Sequence, residues 1–361
     1  MIVIKERINQ SPRLYSALLG LLVALIGVVK YGIDIWPGWP SMFAIAQNLA
    51  DPHASPQLDG EQDYVLSSAT SAVLLGAVPG INQFIFIAGS VVLAFVALIL
   101  PFLAPKIARS KDKARILFIF MAGGALLPLL VTWIGSYDPT TVIGLTLALG
   151  FRQRLISLAG WILTGFNHSA LGVISLLAAA LIMWVSGTDN PTEKRVNSIL
   201  IGVLGLCIGF LMNTSLLSYW GGATSRWELF RGYPLTFYIN NTIAAMPILL
   251  FSALGVGWLV LLRPEWFKLP ATKMLIALGV LLPIAFSLTA LDQTRITAVA
   301  LFAPILVFVS LSTDSLSSIN LKRAWTALMA AAIIVPVPLF LVGEIERNGW
   351  QSILYWTSNF L

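Results

Sequence analysis

Charged side chains are scarce in this chain of 361 residues, of which Asp, Glu, Lys and Arg together make up 11%. Soluble globular domains carry about 25% charged residues. Hydrophobic residues reach 58%, and the mean hydropathy is +0.86. These values exclude an ordinary soluble domain and predict an all-α polytopic integral membrane protein, with a single transmembrane domain over 1–361.

Cysteine and histidine are almost absent, since the chain has one cysteine, Cys207, and two histidines. A single cysteine excludes an intrachain disulfide, and this set excludes a Cys/His zinc site. The sequence also lacks a Gly-rich phosphate loop and an ATP-binding module. Its net charge of +6 does not indicate nucleic-acid binding, because the basic residues cluster in short loops between apolar runs.

Long apolar runs predict about nine transmembrane helices, each near the length that a bilayer crossing needs. The predicted spans are 14–33, 83–103, 115–134, 168–186, 196–216, 237–262, 273–290, 295–312 and 325–343. With this count the basic loops, of which KIARSKDKAR (106–115) is the densest, fall on one face. The positive-inside rule then predicts a cytoplasmic N-terminus and an external C-terminus.

Two segments between the spans carry further structure. Residues 34–82 form a first external loop, and its run WPGWPSMFAIAQNLA is typical of an interfacial helix with tryptophan anchors. Residues 135–167 contain two half-length apolar runs separated by Arg152 and Arg154. They predict either external half-helices or a re-entrant hairpin. Alternatively, they form two short spans that carry both arginines to the cytoplasm, which raises the total to about 11 helices.

Ionisable residues from distant parts of the chain share the depth of the outer helix ends. The stretch TALDQTRITAVA (289–300) carries two of them between apolar runs. Ionisable residues at such depth indicate a functional site by default. The hypothesis is that five of these residues converge on one external cavity, namely Asp34, His168, Arg231, Asp292 and Arg295.

The residue types suggest roles in phosphate chemistry. Arginine binds phosphate through paired hydrogen bonds, which makes phosphate ligands of Arg295, Arg231, Arg226, Arg152 and Arg154. A carboxylate or imidazole in a partly dry site can act as general base, and the candidates are Asp34, Asp138 and His168. Asp292 and Tyr137 are the predicted orienting groups. Each position also has a structural alternative: helix-end ion pair, helix cap, core histidine or interfacial anchor.

The acidic run LDGEQDY places Asp59, Glu61 and Asp63 at alternate positions. This spacing puts three carboxylates on one side of an extended loop, where they can bind a hard divalent cation. A solvated loop is the alternative. The sequence therefore predicts no certain cofactor and leaves a divalent cation open.

The layout resembles the C-type, membrane-embedded glycosyltransferases (GT-C) of cell envelopes. The resemblance rests on Asp34 directly after the first helix, on the surface helix PSMFAIAQNLA, on the half-helices and on the external arginines. It implies an enzyme of the bacterial inner membrane that transfers a sugar from a polyprenyl-phosphate carrier to a glycan or lipid acceptor. It also implies Asp34 as catalytic base, although no Asp-x-Asp or Asp-Glu pair lies beside it.

A second stretch, FRQRLISLAGWILTGFNHSALG, is similar to O-antigen polymerases and ligases in having Arg152 and Arg154 upstream of His168. That resemblance implies polyprenyl-diphosphate glycans as substrates and a histidine base. An alternative of a different class is a lipid or solute transporter or flippase. The scarcity of charges in the middle of the predicted helices favours an enzyme that opens to one face.

Overall fold

The computed structural model describes residues 11–36, 38–47, 82–186, 192–219, 235–287, 293–311, 322–341 and 344–347. Over these ranges the chain is built from α-helices and one short strand pair. Six helices there are long and apolar enough to cross a membrane, or seven crossings if one bent helix pair counts as a span. The chain therefore has the architecture of a multi-pass α-helical membrane protein, with fewer qualifying spans than the nine predicted.

Five predicted spans are confirmed as single apolar helices. They are α1 (Pro12–Tyr31), α3 (Gln83–Leu103), α8 (Thr192–Tyr219), α12 (Pro270–Ser287) and α13 (Gln293–Leu311). Before α3 lies the short α2 (Trp39–Gln47), where an interfacial helix was predicted. The most enclosed of these helices is α13, which packs against six other helices.

Two predicted spans are broken where they pass each other. Span 115–134 divides into α4 (Lys111–Ala122) and α5 (Leu126–Thr132), bent by 62°. Span 237–262 divides into α9 (Leu235–Leu254) and α10 (Gly257–Leu261). Between α9 and α10, Gly255 has a φ of +52°, and a Cβ there would lie 1.6 Å from the carbonyl oxygen of Gly123. Glycine at this crossing allows the two backbones to bond directly, with Val256 N donating to Gly123 O at 2.9 Å.

The last predicted span, 325–343, is wrong. Helix α14 (Lys322–Ile334) ends nine residues before the predicted end of the span. A further helix, α11 (Pro264–Phe267), is a short one that lies just before α12. Pro336 and Pro338 follow α14, and proline cannot continue a helix. The chain instead forms an antiparallel pair, β1 (Leu339–Leu341) with β2 (Glu344–Arg347).

The predicted half-helices at 135–167 form α6 (Asp138–Gly150) and the start of α7 (Arg154–Val185). The two pack closely, because a Cβ on Gly160 would lie 2.3 Å from Ala148 N. The turn between them reaches the loop after α3, where Lys106 N donates to Gly150 O at 3.2 Å. Arg152, in that turn, therefore lies beside Lys106.

Helix α7 doubles back on itself at His168, which has a non-helical φ of −154° and ψ of 80°. The Cγ2 of Thr164 is 3.2 Å from where a Cβ of Gly172 would lie, whereas residues eight apart in a straight helix are separated by about 12 Å. The predicted span 168–186 is thus only the second arm of α7. We call 154–167 the first arm and 169–185 the second arm.

Helix α8 packs against both arms of α7. A Cβ added at Gly209 of α8 would lie 2.3 Å from the carbonyl oxygen of Ile162 in the first arm. A Cβ added at Gly202 would meet the side chain of Leu176 in the second arm. The first arm therefore runs parallel to α8 and the second runs antiparallel to it. This arrangement carries both ends of α7 to the Lys106 end of the molecule and leaves His168 at the opposite end.

Candidate functional site

Arg295 is buried in the first turn of α13, with 7% of its side chain exposed. Its Nη1 donates to the hydroxyl oxygen of Tyr137 at 2.6 Å and lies 3.6 Å from Oδ2 of Asp138. Its guanidinium carbon also lies 5.4 Å from the ring centre of Trp133 and 5.1 Å from that of Tyr137. A cation at a helix N-terminus opposes the helix dipole. Here one carboxylate and two aromatic faces compensate for that cost.

Asp138 begins α6 and is completely buried. Pro139 follows it in the first turn, and the N-cap position is taken by Tyr137 without a side-chain capping bond. The 3.6 Å separation of Asp138 from Arg295 is longer than a hydrogen bond. The contact is therefore an electrostatic pairing between two buried side chains.

Asn167 and His168 close the cluster from the end of the first arm. Asn167 Nδ2 donates to Tyr137 O at 2.8 Å and to Thr141 Oγ1 at 2.6 Å. The ring of His168 lies 5.7 Å from that of Tyr137. Its Nδ1 accepts from the N–H of Leu171 at 3.4 Å, so the imidazole caps the second arm. A neutral histidine that accepts through Nδ1 carries its proton on Nε2.

The segment after α1 joins this cluster through its backbone. Ile35 forms a parallel bridge with Ile134, and Asp34 N donates to Val131 O at 3.2 Å. The ring of Trp36 stacks on Trp133 at 6.2 Å and meets Tyr137 edge-on at 6.1 Å. Asp34 is half-buried, and its Oδ1 accepts from the N–H of Ile35 at 2.8 Å. The structure therefore brings Asp34 to the edge of the group around Tyr137.

We define the Arg295 cluster as the residues that make these contacts: Trp36, Trp133, Tyr137, Asp138, Asn167, His168 and Arg295. Beside it lie buried side-chain oxygens that make no hydrogen bond within the described part of the chain. They belong to Ser136, Asn167, Gln293 and Thr297. Buried polar atoms are normally paired. These four oxygens therefore keep a hydrogen-bonding capacity that no described residue uses.

Sequence reasoning missed the tryptophans of this cluster. Trp133 ends a long apolar run and Trp36 lies in a segment that predicts membrane anchoring, so each has an ordinary explanation. Their stacking depends on the Ile35–Ile134 bridge between segments about a hundred residues apart. The single hint in the sequence is that Trp133 lies about the length of one helical turn before Tyr137 and Asp138 along the chain.

Other predicted site residues lie elsewhere. Arg152 and Arg154 are at the Lys106 end, separated from Arg295 by the length of α6, which is about 20 Å. Several predicted residues lie outside the described residues: Asp59, Glu61, Asp63, Arg226, Arg231 and Asp292. Among the residues that the structure does describe, no group of three His, Cys, Asp or Glu side chains is placed to hold a metal ion.

A cavity of about 580 Å³ opens at the Lys106 end. Six cationic side chains line it, namely Lys106, Lys113, Arg152, Arg154, Lys194 and Arg195. No acidic residue is among the described residues around it. Burial, together with the nearby positive charges of Arg152 and Lys113, lowers the pKa of Lys106 to about 8, and burial is the largest of these causes.

Comparison of the chain with protein-family models, with curated proteins and with solved structures finds no match. The fold defines the class, a multi-pass α-helical membrane protein.

Proposed function

We propose that this protein is a membrane-embedded glycosyltransferase that moves a sugar from a polyprenyl-phosphate carrier to an envelope glycan or lipid acceptor. The observation that carries the proposal is the buried pair of Arg295 with Tyr137 and Asp138. An arginine kept charged inside an apolar helix bundle costs free energy and marks a functional site by default. Guanidinium is also the side chain best suited to bind a phosphate group.

The position of the cluster in the bundle supports an active site near one membrane face. Arg295 begins α13, and at the other end of α13 the Nζ of Lys113 donates to Ser310 O at 2.5 Å. Fifteen helical residues separate these points, a rise of about 22 Å. If the basic loops are cytoplasmic, as the positive-inside rule predicts, the Arg295 cluster lies toward the external face of the bacterial inner membrane.

The geometry favours distinct roles for the carboxylates. Asp138 is buried against Arg295, so we assign it, with Tyr137, to orienting the guanidinium. Asp34 is half-buried at the edge of the cluster, and we assign it as the base, in keeping with the resemblance to GT-C enzymes. The acceptor hydroxyl gives its proton to Asp34 and bonds to the sugar C1. As this bond forms, the C1–O bond to phosphate breaks, and Arg295 binds the phosphate of the departing polyprenyl phosphate.

A second candidate is a polymerase or ligase that uses polyprenyl-diphosphate glycans. It is favoured by the position of His168, which the reversal of α7 places against Tyr137. In that reading His168 is the base, and its Nδ1, which accepts from the N–H of Leu171 in this structure, has to give up that hydrogen bond to take the proton.

The test is a transfer assay in proteoliposomes with sugars on monophosphate and on diphosphate carriers, using wild type, Arg295→Lys and Arg263→Lys. Arg263 is the matched control, because it pairs with Glu265 at the same 3.6 Å but is partly exposed. We expect monophosphate turnover to fall by about 100-fold in Arg295→Lys alone. Turnover of diphosphate donors alone would select the polymerase or ligase. Lipid movement without bond cleavage would select a transporter or flippase.

A further inference from the structure

The cavity at the Lys106 end is a second polar site, remote from the Arg295 cluster. Three elements form its rim: the loop after α3, the turn between α6 and α7, and the first turn of α8. The reversal of α7 is what joins them, because it returns the second arm, with Met183, to the level of Arg154. In a straight helix of 32 residues these two positions would be about 44 Å apart.

Three of the six cationic side chains around the cavity bond to carbonyls at the C-terminal ends of helices. Lys106 Nζ donates to Leu149 O at 2.7 Å, Lys113 Nζ donates to Ser310 O, and Arg195 Nη1 donates to Trp184 O at 3.3 Å. Each of these carbonyls lies in the last turn of a helix, where cations are favoured by the dipole. These three residues therefore have a structural role in capping.

The other three cations have no such explanation. The side chains of Arg152, Arg154 and Lys194 are exposed on the rim of the same cavity, and none of them caps a helix end among the described contacts. They add positive charge beside a lysine whose pKa is already lowered by burial and by its cationic neighbours. An accumulation of like charge around a concavity costs free energy unless an anion binds there.

The interior of the cavity is apolar. Trp161, Leu176, Ile201 and Val307 lie beneath the cationic rim, and the hydroxyls of Ser157 and Ser198 lie at its border. A ring of cations above an apolar floor matches a ligand with a phosphate head and an apolar tail. A small soluble phosphate compound needs only the ring of cations and makes no use of the apolar floor.

We propose that this cavity is a binding site for a phosphate group, held by Arg152, Arg154 and Lys194 together with the three capping cations. Its source is either the headgroup of an anionic phospholipid or a soluble phosphate compound. The site is separate from the proposed transfer reaction, and it stands even if that reaction is wrong.

The experiment measures the thermal unfolding midpoint of the full chain in detergent. One arm titrates sodium pyrophosphate against sodium chloride at matched ionic strength. The other titrates phosphatidylglycerol against phosphatidylcholine in mixed micelles. Both arms use wild type, Arg152→Gln/Arg154→Gln and the control Lys268→Gln/Lys273→Gln. The control removes the same charge from exposed positions that do not line the cavity.

We expect at least one phosphate-bearing probe to raise the wild-type midpoint above its matched reference. Its apparent affinity should fall by about tenfold or more in Arg152→Gln/Arg154→Gln and stay unchanged in the control. A shift with phosphatidylglycerol alone assigns a lipid, and a shift with pyrophosphate assigns a soluble compound. The proposal is overturned if neither probe shifts the wild-type midpoint, or if the control variant loses as much affinity as the cavity variant.

Discussion

The guanidinium of Arg295 donates to the hydroxyl of Tyr137 at 2.6 Å, although 158 positions separate the two residues in the chain. The same nitrogen faces Asp138 at 3.6 Å. Tyr137 thus accepts a hydrogen bond from Arg295 at its hydroxyl and one from Asn167 at its carbonyl oxygen, and its ring meets that of Trp36 edge-on. It joins α6, the first arm of α7, α13 and the segment after α1 into one polar cluster.

Replacing Tyr137 by Phe removes the hydroxyl that orients Arg295. We expect a loss of about 2 kcal/mol in the free energy of unfolding, because the bond is buried and involves a charged donor. Transfer activity should also fall. Tyr31→Phe is the matched control, since the Tyr31 hydroxyl is also buried and accepts from Val337 N at 2.9 Å. If Tyr31→Phe impairs turnover as much as Tyr137→Phe does, the effect is one of stability alone.

Replacing Asp138 by Asn leaves the Arg295 guanidinium buried without its carboxylate. Breaking a buried ion pair costs about 3 kcal/mol or more. Glu265→Gln breaks the Arg263 pair at the same 3.6 Å distance, but that pair is partly exposed, and its loss should cost less than about 1 kcal/mol. Unfolding midpoints of the two variants test this difference. Equal midpoints would mean that Asp138 does not compensate the charge of Arg295.

Replacing Gly255 by Ala should destabilise the crossing of the two broken spans by at least about 2 kcal/mol, since L-residues are strained at positive φ. The added Cβ also meets Gly123 O. Gly20→Ala is the control, because its nearest contact is a side-chain atom of Phe102 at 3.2 Å. A Gly255→Ala variant as stable as Gly20→Ala would contradict the direct contact between the backbones.

The reversal of α7 can be tested by cross-linking. In a chain with Cys207→Ser, the pair Thr164→Cys and Gly172→Cys should form a disulfide, because the Thr164 Cγ2 is 3.2 Å from the Cβ position of residue 172. Cys207 is the only native cysteine, so its removal leaves no competing thiol. The pair Thr164→Cys and Leu176→Cys serves as the comparison. Failure of the first pair to cross-link would indicate a straight helix.

The charge of Lys106 should make the cavity sensitive to pH. Its folded pKa of about 8 lies below the value of 10.5 for a free lysine, so the unfolded chain binds more protons between these two values. Stability without ligand should therefore rise as pH increases through that window. Anion binding should weaken over the same range, because Lys106 loses its charge. Titrations of wild type and Lys106→Met measure both trends, and identical profiles for the two proteins would exclude Lys106 as their source.

Apolar runs were sufficient to predict α1, α3, α8, α12 and α13, because length and hydropathy decide whether a helix can span a bilayer. For α7 they placed the boundary between the half-length runs of 135–167 and span 168–186 at His168, where the helix reverses, but they did not predict that the two arms fold back on each other. The reversal depends on the close approach of Thr164 to Gly172, which is a tertiary contact.

Local signals were present where span 325–343 was predicted wrongly. Pro336 and Pro338 within an apolar run are a reason to end the helix, and α14 ends at Ile334. Hydropathy alone does not register them.

The cluster was foreseen only in outline. A shared depth in the membrane brought Tyr137, Asp138, His168 and Arg295 into one group, and the structure places these four in contact around Tyr137. The same reasoning also grouped Arg152 and Arg154 with Arg295, although the alternative of two short spans carried both arginines to the opposite face. It failed for these two because the path of the α6–α7 turn toward Lys106 depends on packing between α6 and the first arm.

The most direct test of the proposed function is a cryo-EM structure of the protein with a bound polyprenyl-phosphate sugar. We expect the phosphate oxygens to lie about 3 Å from the Arg295 guanidinium, with the sugar directed toward Asp34. A carrier phosphate seated in the cavity at the Lys106 end, with Arg295 still buried against Tyr137 and Asp138, would contradict the assignment of the Arg295 cluster as the transfer site.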